Sequence, residues 1–248
     1  MKKGKTTKSG VFVSDDFRDN LILDRYDNVF SRMRGDKITY MQSENSEDVL
    51  TWNVFRTLSK INPTIWLPLL FKIGCGADIS YLFKYLTIEL WPVVEPPTGI
   101  RHRQKDEGES EIDIRIESED FVWFIEAKYK SDISTRTTNN KNRDQILRNI
   151  DVGSWYAGRR PFHFTLLILD DSKSPLGVQK VDLYRQEMFD FKKLLPHRKD
   201  DLGNIQSVDL MKWADILDIL RQCLGKCQKD DERFLLEQAI QWMEDKGI

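Results

Sequence analysis

Apolar and charged residues alternate between Glu111 and Lys130, and this period of two predicts a pair of β-strands joined by a tight turn at Glu119-Asp120. One face of the predicted hairpin is apolar and carries Ile112, Ile114, Ile116, Phe121, Trp123, Ile125, Ala127 and Tyr129. The other face carries Glu111, Asp113, Arg115, Glu117, Val122, Phe124, Glu126 and Lys128. A two-residue turn places Asp113 opposite Glu126 and Glu111 opposite Lys128. Because like charges that face each other in a sheet are unfavourable, the Asp113–Glu126 pair suggests a cation between the two carboxylates.

Helical patterns precede and follow this hairpin. Ser46 is a good N-cap with two acids behind it, and apolar residues at helical spacing continue to Asn62-Pro63, which predicts a helix over this stretch. Weaker patterns predict a short helix at residues 24–34 and helical fragments at 64–86. The remaining predicted elements are a strand at 87–94, a helix at 143–156 closed by Gly158, a buried strand at 162–169, an edge strand at 181–184, and amphipathic helices at 207–224 and 230–243.

This order of elements predicts an α/β fold with a mixed central sheet flanked by helices. A hairpin followed by a helical crossover delivers the next strand parallel to the last one. We expect an N-terminal extension over residues 1–42, partly flexible, then a core over 43–185, and a C-terminal helical elaboration packed on the core over 186–248.

Composition narrows the class of protein. The chain has 248 residues, 40% of them hydrophobic, which is enough for a full core. The formal net charge of −2 excludes a globally basic coat, so a polyanion would have to meet a local patch.

The sequence also favours a cytoplasmic protein without a membrane segment. Its three cysteines, Cys75, Cys223 and Cys227, are an odd number without a C-x-x-C pair, which suits buried thiols in a reducing compartment. Prolines, glycines and charged residues interrupt the most apolar region, residues 65–94, so it is not a continuous span. The basic N-terminus lacks the apolar run of a signal peptide, and we expect a flexible tail there.

The charged face of the hairpin carries candidate chemistry. Asp113 and Glu126 are hard oxygen ligands of the kind that bind Mg²⁺ or Mn²⁺. Lys128 lies two residues beyond Glu126 on the same face, where its ammonium group can serve a metal-bound water or neutralise a phosphate. Two carboxylates and a lysine around one point predict metal-assisted hydrolysis of a phosphodiester.

Asp113 followed by Glu126-Ala127-Lys128 resembles the PD-(D/E)xK superfamily of restriction-endonuclease-like nucleases. The order of the flanking elements is similar as well, and the resemblance covers roughly residues 44–170. Ile112 stands where the family usually has proline, a departure that does not touch the chemistry.

The resemblance implies further site residues. The backbone carbonyl of Ala127 would join the metal ligands. The acid that the family places on its first helix corresponds best to Glu47, with Glu44 and Asp48 as alternatives. The glutamine of the family's polar helix corresponds to Gln145.

Residues 130–160 form a locally basic segment, with seven basic and three acidic side chains. Such a segment beside an acidic metal pocket is typical of phosphate-backbone contacts. The candidate nucleic-acid-binding residues are Lys130, Arg136, Lys141, Arg143 and Arg148. An ordinary charged loop is the alternative.

We therefore expect a Mg²⁺-dependent nuclease on DNA, with Mn²⁺ as a possible substitute, acting as an endonuclease on double-stranded DNA. One alternative is a catalytically inactive module of the same fold that binds DNA or a protein. Another is a nuclease on RNA or on single-stranded or branched DNA. The C-terminal helices could pack a homodimer. A hairpin whose charged face forms only cross-strand salt bridges remains the simplest rival, although the run Trp123-Phe124-Ile125 suggests a strand covered on both sides.

Overall fold

The structure is a computed structural model that describes residues 3–79, 85–97, 109–136, 143–186, 190–198 and 202–248. Its strands are, in chain order, β1 (Gly4–Thr6), β2 (Phe12–Ser14), β3 (Thr87–Leu90), β4 (Val93–Val94), β5 (Ser110–Glu111), β6 (Ile114–Glu117), β7 (Val122–Ala127), β8 (Phe162–Ile168) and β9 (Ile205–Lys212). Its α-helices are α1 (Gly35–Met41), α2 (Glu47–Leu58), α3 (Pro63–Cys75), α4 (Gln145–Ala157), α5 (Pro175–Arg185), α6 (Phe191–Leu194), α7 (Trp213–Lys226) and α8 (Asp230–Asp245).

A five-stranded mixed sheet forms the centre of the described structure, in the order β3-β6-β7-β8-β9. The strands β3, β6 and β7 pair antiparallel, whereas β7, β8 and β9 run parallel. The helix α4 connects β7 to β8, so the predicted parallel crossover is confirmed.

Two apolar layers cover the sheet. On one face, α2, α3, α7 and α8 bury a cluster that includes Trp123 and Ile125 of β7. On the other face, α4 and α5 pack over a second cluster that includes Phe124 of the same strand and Phe164 of β8. Successive residues of β7 therefore enter opposite layers, as a strand covered on both sides requires. The predicted α/β class and mixed sheet are confirmed.

The predicted hairpin register is confirmed, with Ile114 opposite Ile125 and Glu117 opposite Val122. The assignment of Ile112 to the Trp123 face is wrong. Ile112 packs in the cluster of the opposite face because the chain bends at Asp113, between β5 and β6. The same kind of break splits the predicted strand at 87–94 into β3 and β4.

Two predicted elements in the C-terminal half are wrong. Residues 181–184 belong to helix α5, because Val181 and Tyr184 are one turn apart and both are buried. Residues 207–212 belong to strand β9, where Val208 and Met211 enter the two opposite apolar layers. A spacing of three residues fits a helical face and also two faces of a strand, so the pattern alone was ambiguous. The sheet consequently extends into the segment that we expected to be a helical elaboration.

The helices before the sheet are close to expectation. Ser46 caps α2 by accepting a hydrogen bond from the Val49 N–H at 3.3 Å. The fragments expected at 64–86 include one regular helix, α3, and residues 24–34 contain a 3₁₀ helix, Asn28–Arg32. Among the described helices, none combines the length and apolarity needed to cross a membrane.

Candidate active site

The candidate site lies at the C-terminal end of β7, where the first turns of α2 and α4 meet the hairpin. Glu126 is in the last part of β7, and Lys128 extends the ladder, since its N–H donates to the Leu167 carbonyl at 2.7 Å. Asp113 occupies the bend before β6, and its Oδ2 accepts a hydrogen bond from the Ala127 N–H at 2.9 Å. The hairpin register thus brings the two acids together on one face.

Lys128 is the centre of this cluster, and only 7% of the residue is exposed. Its Nζ lies 2.7 Å from Glu126 Oε1, 3.0 Å from the Ala127 carbonyl oxygen and 3.5 Å from Glu47 Oε1. Burial alone would lower the pKa of Lys128, but the surrounding acids outweigh it and raise the pKa above the ordinary value. The surrounding acids therefore favour the charged form of the lysine.

The pKa values of the two facing acids shift in opposite directions. Burial, together with the charge of Glu126, raises the pKa of Asp113 well above its ordinary value. Burial acts in the same direction on Glu126, but the ammonium group of Lys128 and a hydrogen bond from Asp113 keep the pKa of Glu126 below its ordinary value. Two carboxylates in contact titrate as a pair, and of these two Asp113 is the one that binds a proton more readily.

Helix α4 fixes the orientation of Glu126. The side-chain amide of Gln145, the first residue of α4, donates to Glu126 Oε1. Asn149 Nδ2 donates to Glu126 Oε2 at 2.6 Å, so both carboxylate oxygens are engaged. Sequence reasoning found Gln145 and missed Asn149. The signal was present, because residues four apart lie on the same face of a helix.

Glu47 is the acid of α2 that reaches the site. Its Oε2 accepts hydrogen bonds from the Tyr129 N–H at 2.7 Å and the Ser131 hydroxyl at 3.0 Å. Of the alternatives, Glu44 is engaged elsewhere, since its Oε1 accepts from the Phe12 N–H at 2.6 Å. Of these three candidate acids, Glu47 is the one that contacts Lys128 in the described structure.

Asp48 and Glu111 bind a second lysine, which sequence reasoning did not single out. Lys37 Nζ of α1 lies 2.6 Å from Glu111 Oε1 and 3.2 Å from Asp48 Oδ1. The expectation that Glu111 pairs with Lys128 is therefore wrong, because the bend at Asp113 turns β5 away from β7. Burial raises the pKa of Asp48 even though Lys37 opposes the shift.

The combined cluster is acidic. It contains five carboxylates and two ammonium groups, a formal excess of three negative charges, from Glu47, Asp48, Glu111, Asp113, Glu126, Lys37 and Lys128. A proton on Asp113 reduces this excess to two. An excess of that size is what a divalent cation neutralises.

The predicted nucleic-acid-binding residues fall into different environments. Lys130 and Arg136 are exposed, and Lys130 Nζ donates to Asn45 Oδ1 at 2.7 Å. Arg148 is partly buried on α4, and its charge helps to lower the pKa of Glu126. Lys141 lies outside the described residues.

Arg143 does not fit the prediction of a phosphate contact. It is buried, and its guanidinium group lies 2.7 Å from Asp151 Oδ2. Asp151 also binds Arg198 at 2.8 Å and His197 at 2.8 Å, so this network joins α4 to the segment after α6. The formal charge of the basic segment overestimates what is available to a polyanion, because part of it neutralises a buried acid.

The predicted ligand atoms are oxygens, which suits Mg²⁺ or Mn²⁺. The Glu126, Glu47 and Ala127 oxygens all converge on Lys128 Nζ, so a cation already occupies the point on which they agree. In the described ranges, however, no three or more His, Cys, Asp or Glu side chains are grouped so that they could hold a metal ion. The oxygen ligands suit Mg²⁺ or Mn²⁺. In this structure the Lys128 ammonium group neutralises their negative charge.

Comparison with known proteins gives no relative for this chain: no family model, no curated protein and no solved structure matches it.

Proposed function

We propose that this protein is a metal-dependent phosphodiesterase that cleaves DNA, acting as an endonuclease on the double-stranded form. The observation that carries the proposal is the convergence of Glu126, Glu47 and the Ala127 carbonyl on the buried Lys128 ammonium group, with Asp113 beside them. Ionised groups at the end of a buried strand are costly unless they serve a cation or a reaction. The order of hairpin, α4 and β8 supports a restriction-endonuclease-like core.

Each residue of the cluster has a role in this proposal. Asp113, Glu126, Glu47 and the Ala127 carbonyl would hold Mg²⁺, which when bound supplies Lewis-acid activation of water. Lys128 stays protonated, so it neutralises charge on a non-bridging phosphate oxygen and does not act as a base.

The reaction forms a bond between the water oxygen and phosphorus and breaks the bond from phosphorus to the leaving oxygen, which takes a proton from solvent. The lowered pKa of Glu126 keeps its charge available to a metal ion, and the attacking water would pass its proton to solvent. Gln145 and Asn149 hold the Glu126 carboxylate in one orientation by binding both of its oxygens.

The surface available to contact DNA contains fewer cations than the sequence predicted. Lys130 and Arg136 are exposed after the hairpin, and Arg148 is partly exposed on α4. These three cations would contact the phosphate backbone on either side of the cluster. We also propose a cytoplasmic location, since Cys75, Cys223 and Cys227 are all free and buried.

Plasmid cleavage tests the proposal directly. Wild-type protein with Mg²⁺ or Mn²⁺ is expected to nick or linearise supercoiled DNA. Lys128→Ala and Asp113→Ala are expected to lose roughly 10²-fold or more of the rate, as is usual when a charge-stabilising group is removed. Equal cleavage by all three proteins would end the assignment.

Matched controls separate chemistry from folding. Lys72→Ala and Asp218→Asn change exposed side chains on α3 and α7, away from the cluster, and should cleave like wild type. Because Lys128→Ala leaves buried acids without their cation, circular dichroism and urea unfolding should accompany each assay. Asp113→Asn is the gentler variant, since an amide oxygen can still accept from the Ala127 N–H.

One observation favours a second candidate, a non-catalytic module of the same fold that binds DNA or a protein. Both oxygens of Glu126 are already satisfied within the chain, by Lys128 and Gln145 at Oε1 and by Asn149 at Oε2. A closed network of this kind needs no metal. Calorimetry that detects no Mg²⁺ or Mn²⁺ binding, together with retained DNA binding, would favour this candidate over the nuclease.

A further inference from the structure

A cavity of ≈ 490 Å³ opens beside the candidate active site, between the 3₁₀ helix Asn28–Arg32, helix α2 and the β3–β4 segment. Its walls include the aromatic side chains of Trp52, Phe55 and Trp91. A volume of this size falls within the range of small-molecule sites. The candidate chemistry does not use this cavity.

Trp91 combines three unusual features at this place. Its φ is 55°, in the left-handed region that a bulky side chain rarely adopts, and such strain is characteristic of functional positions. The residue is 6% exposed, and its indole N–H is buried with no hydrogen-bond partner. An unsatisfied buried donor is costly, and an acceptor on a bound ligand would satisfy it. The Trp91 ring also stacks on Trp52, with centroids 5.8 Å apart and an interplanar angle of 10°.

Three ion pairs neutralise most of the charge around the cavity. Arg56 pairs with Asp27 at 2.8 Å, Glu89 with Arg115 at 2.8 Å, and Glu111 with Lys37 at 2.6 Å. These pairs leave aromatic walls and an unsatisfied indole donor to contact an uncharged group, while the exposed Arg32, which also lines the cavity, is available to a neighbouring phosphate. A planar heterocycle that carries hydrogen-bond acceptors matches both.

Backbone hydrogen bonds connect the wall of the cavity to the candidate site. The Trp91 N–H donates to the Asp113 carbonyl at 3.1 Å, and the Ile112 N–H donates to the Pro92 carbonyl at 3.0 Å. The strained segment that lines the cavity is therefore hydrogen-bonded to the bend that presents Asp113. Glu111, two residues before Asp113, also lines the cavity, so the cavity and the candidate site share this bend of the chain.

We infer that this cavity binds an unstacked nucleobase of the DNA strand whose phosphate lies at the Asp113–Glu126–Lys128 cluster, with Trp91 Nε1 donating to the base. The inference rests on the proposed function and extends it to substrate recognition. A base leaves the stack most readily where it is unpaired, mismatched or in a single strand, so the substrate class is DNA with locally open pairing.

Binding without catalysis tests the inference. In EDTA, the affinities for a short, end-labelled DNA strand and for an abasic strand of the same length and charge are measured by fluorescence anisotropy. Their ratio reports the contribution of the bases. Wild type is expected to prefer the intact strand by roughly tenfold or more, the usual scale of base–aromatic contacts. Trp91→Phe, which keeps a ring and removes the N–H, is expected to lower the ratio severalfold.

A second variant tests the inference independently, in case Trp91→Phe does not fold. Val93 lines the same cavity and is 57% exposed, so Val93→Phe should fold and narrow the cavity. It is expected to remove most of the preference for the intact strand, whereas Val93→Thr keeps it. Trp155→Phe is the matched control, since Trp155 is a partly exposed tryptophan on α4 and does not line this cavity.

The outcomes separate this inference from the nuclease proposal. An unchanged ratio in both Trp91→Phe and Val93→Phe overturns base binding in the cavity, even if the plasmid is cleaved. A drop in the ratio for Trp155→Phe instead places the bases on α4 and also overturns it. Intact base preference without any cleavage refutes the nuclease alone.

Discussion

At the residue scale, Asp113 and Glu126 show how one environment shifts the pKa values of two similar acids in opposite directions. The sequence predicted that they face each other, because a two-residue turn fixes the register of a hairpin. It could not predict which of them has the higher pKa, because that depends on side chains brought in by other elements. Lys128 and the amides of Gln145 and Asn149 all bind Glu126, whereas Asp113 has one backbone donor, the Ala127 N–H.

The raised pKa of Asp113 predicts a pH dependence of stability. A carboxyl group whose pKa is higher in the folded than in the unfolded state binds its proton more tightly when folded. Its contribution is therefore full below the ordinary value of 3.8 and is lost as the pH rises toward the folded pKa. Asp113→Asn resembles the protonated acid, so its stability relative to wild type should increase from about pH 4 upward.

Urea unfolding of wild type and Asp113→Asn across that pH range measures the difference. Asp218→Asn, an exposed acid on α7, serves as the control and should run parallel to wild type. A constant difference between Asp113→Asn and wild type at every pH would show that folding does not raise the pKa of Asp113.

At the element scale, α4 does most to convert the hairpin into a site. Its position after the hairpin, its Gly158 terminus and Gln145 were all predicted from sequence. Its distance from the sheet was not predicted, because that depends on Gly153. A Cβ at Gly153 would overlap the Phe162 ring of β8, so the absence of a side chain lets α4 approach the sheet and reach Glu126.

Gly153→Ala is expected to destabilise the protein by about 1–3 kcal/mol through overpacking against Phe162. Gly225→Ala is the matched control within α7, where an added Cβ meets nothing within 4 Å. That change should instead stabilise by about 0.4–1 kcal/mol, because alanine favours the helix. Urea unfolding of both variants checks the signs, and equal effects would contradict this account of α4 packing.

Asn149→Ala tests the second amide on Glu126. Asn149 is fully buried, and its removal leaves one carboxylate oxygen without a donor. The expected loss of stability is about 1–3 kcal/mol. Gln179→Ala changes an exposed residue of α5 and should be nearly neutral by the same urea measurement. A loss no larger than that of Gln179→Ala would mean that Asn149 does not hold Glu126.

At the scale of the whole molecule, the sequence was informative for contacts close in the chain and much less so for distant ones. The α/β class, the mixed sheet and the parallel crossover were predicted from the order of local patterns. Lys37 and Trp91 were missed, because their roles depend on where the N-terminal segment and the β3–β4 break pack against the hairpin. The break at Asp113 was also missed, since the alternation of apolar residues continues through it.

The central claim is that the oxygens gathered around Lys128 form a divalent cation site. A crystal structure with Mn²⁺ soaked in, located by its anomalous scattering, tests this claim most directly. The account predicts one strong anomalous peak bound by Asp113, Glu126 and the Ala127 carbonyl, with Glu47 close by and the Lys128 ammonium displaced from Glu126. Density that keeps Lys128 on Glu126 at saturating Mn²⁺, with no anomalous peak among these oxygens, would contradict it.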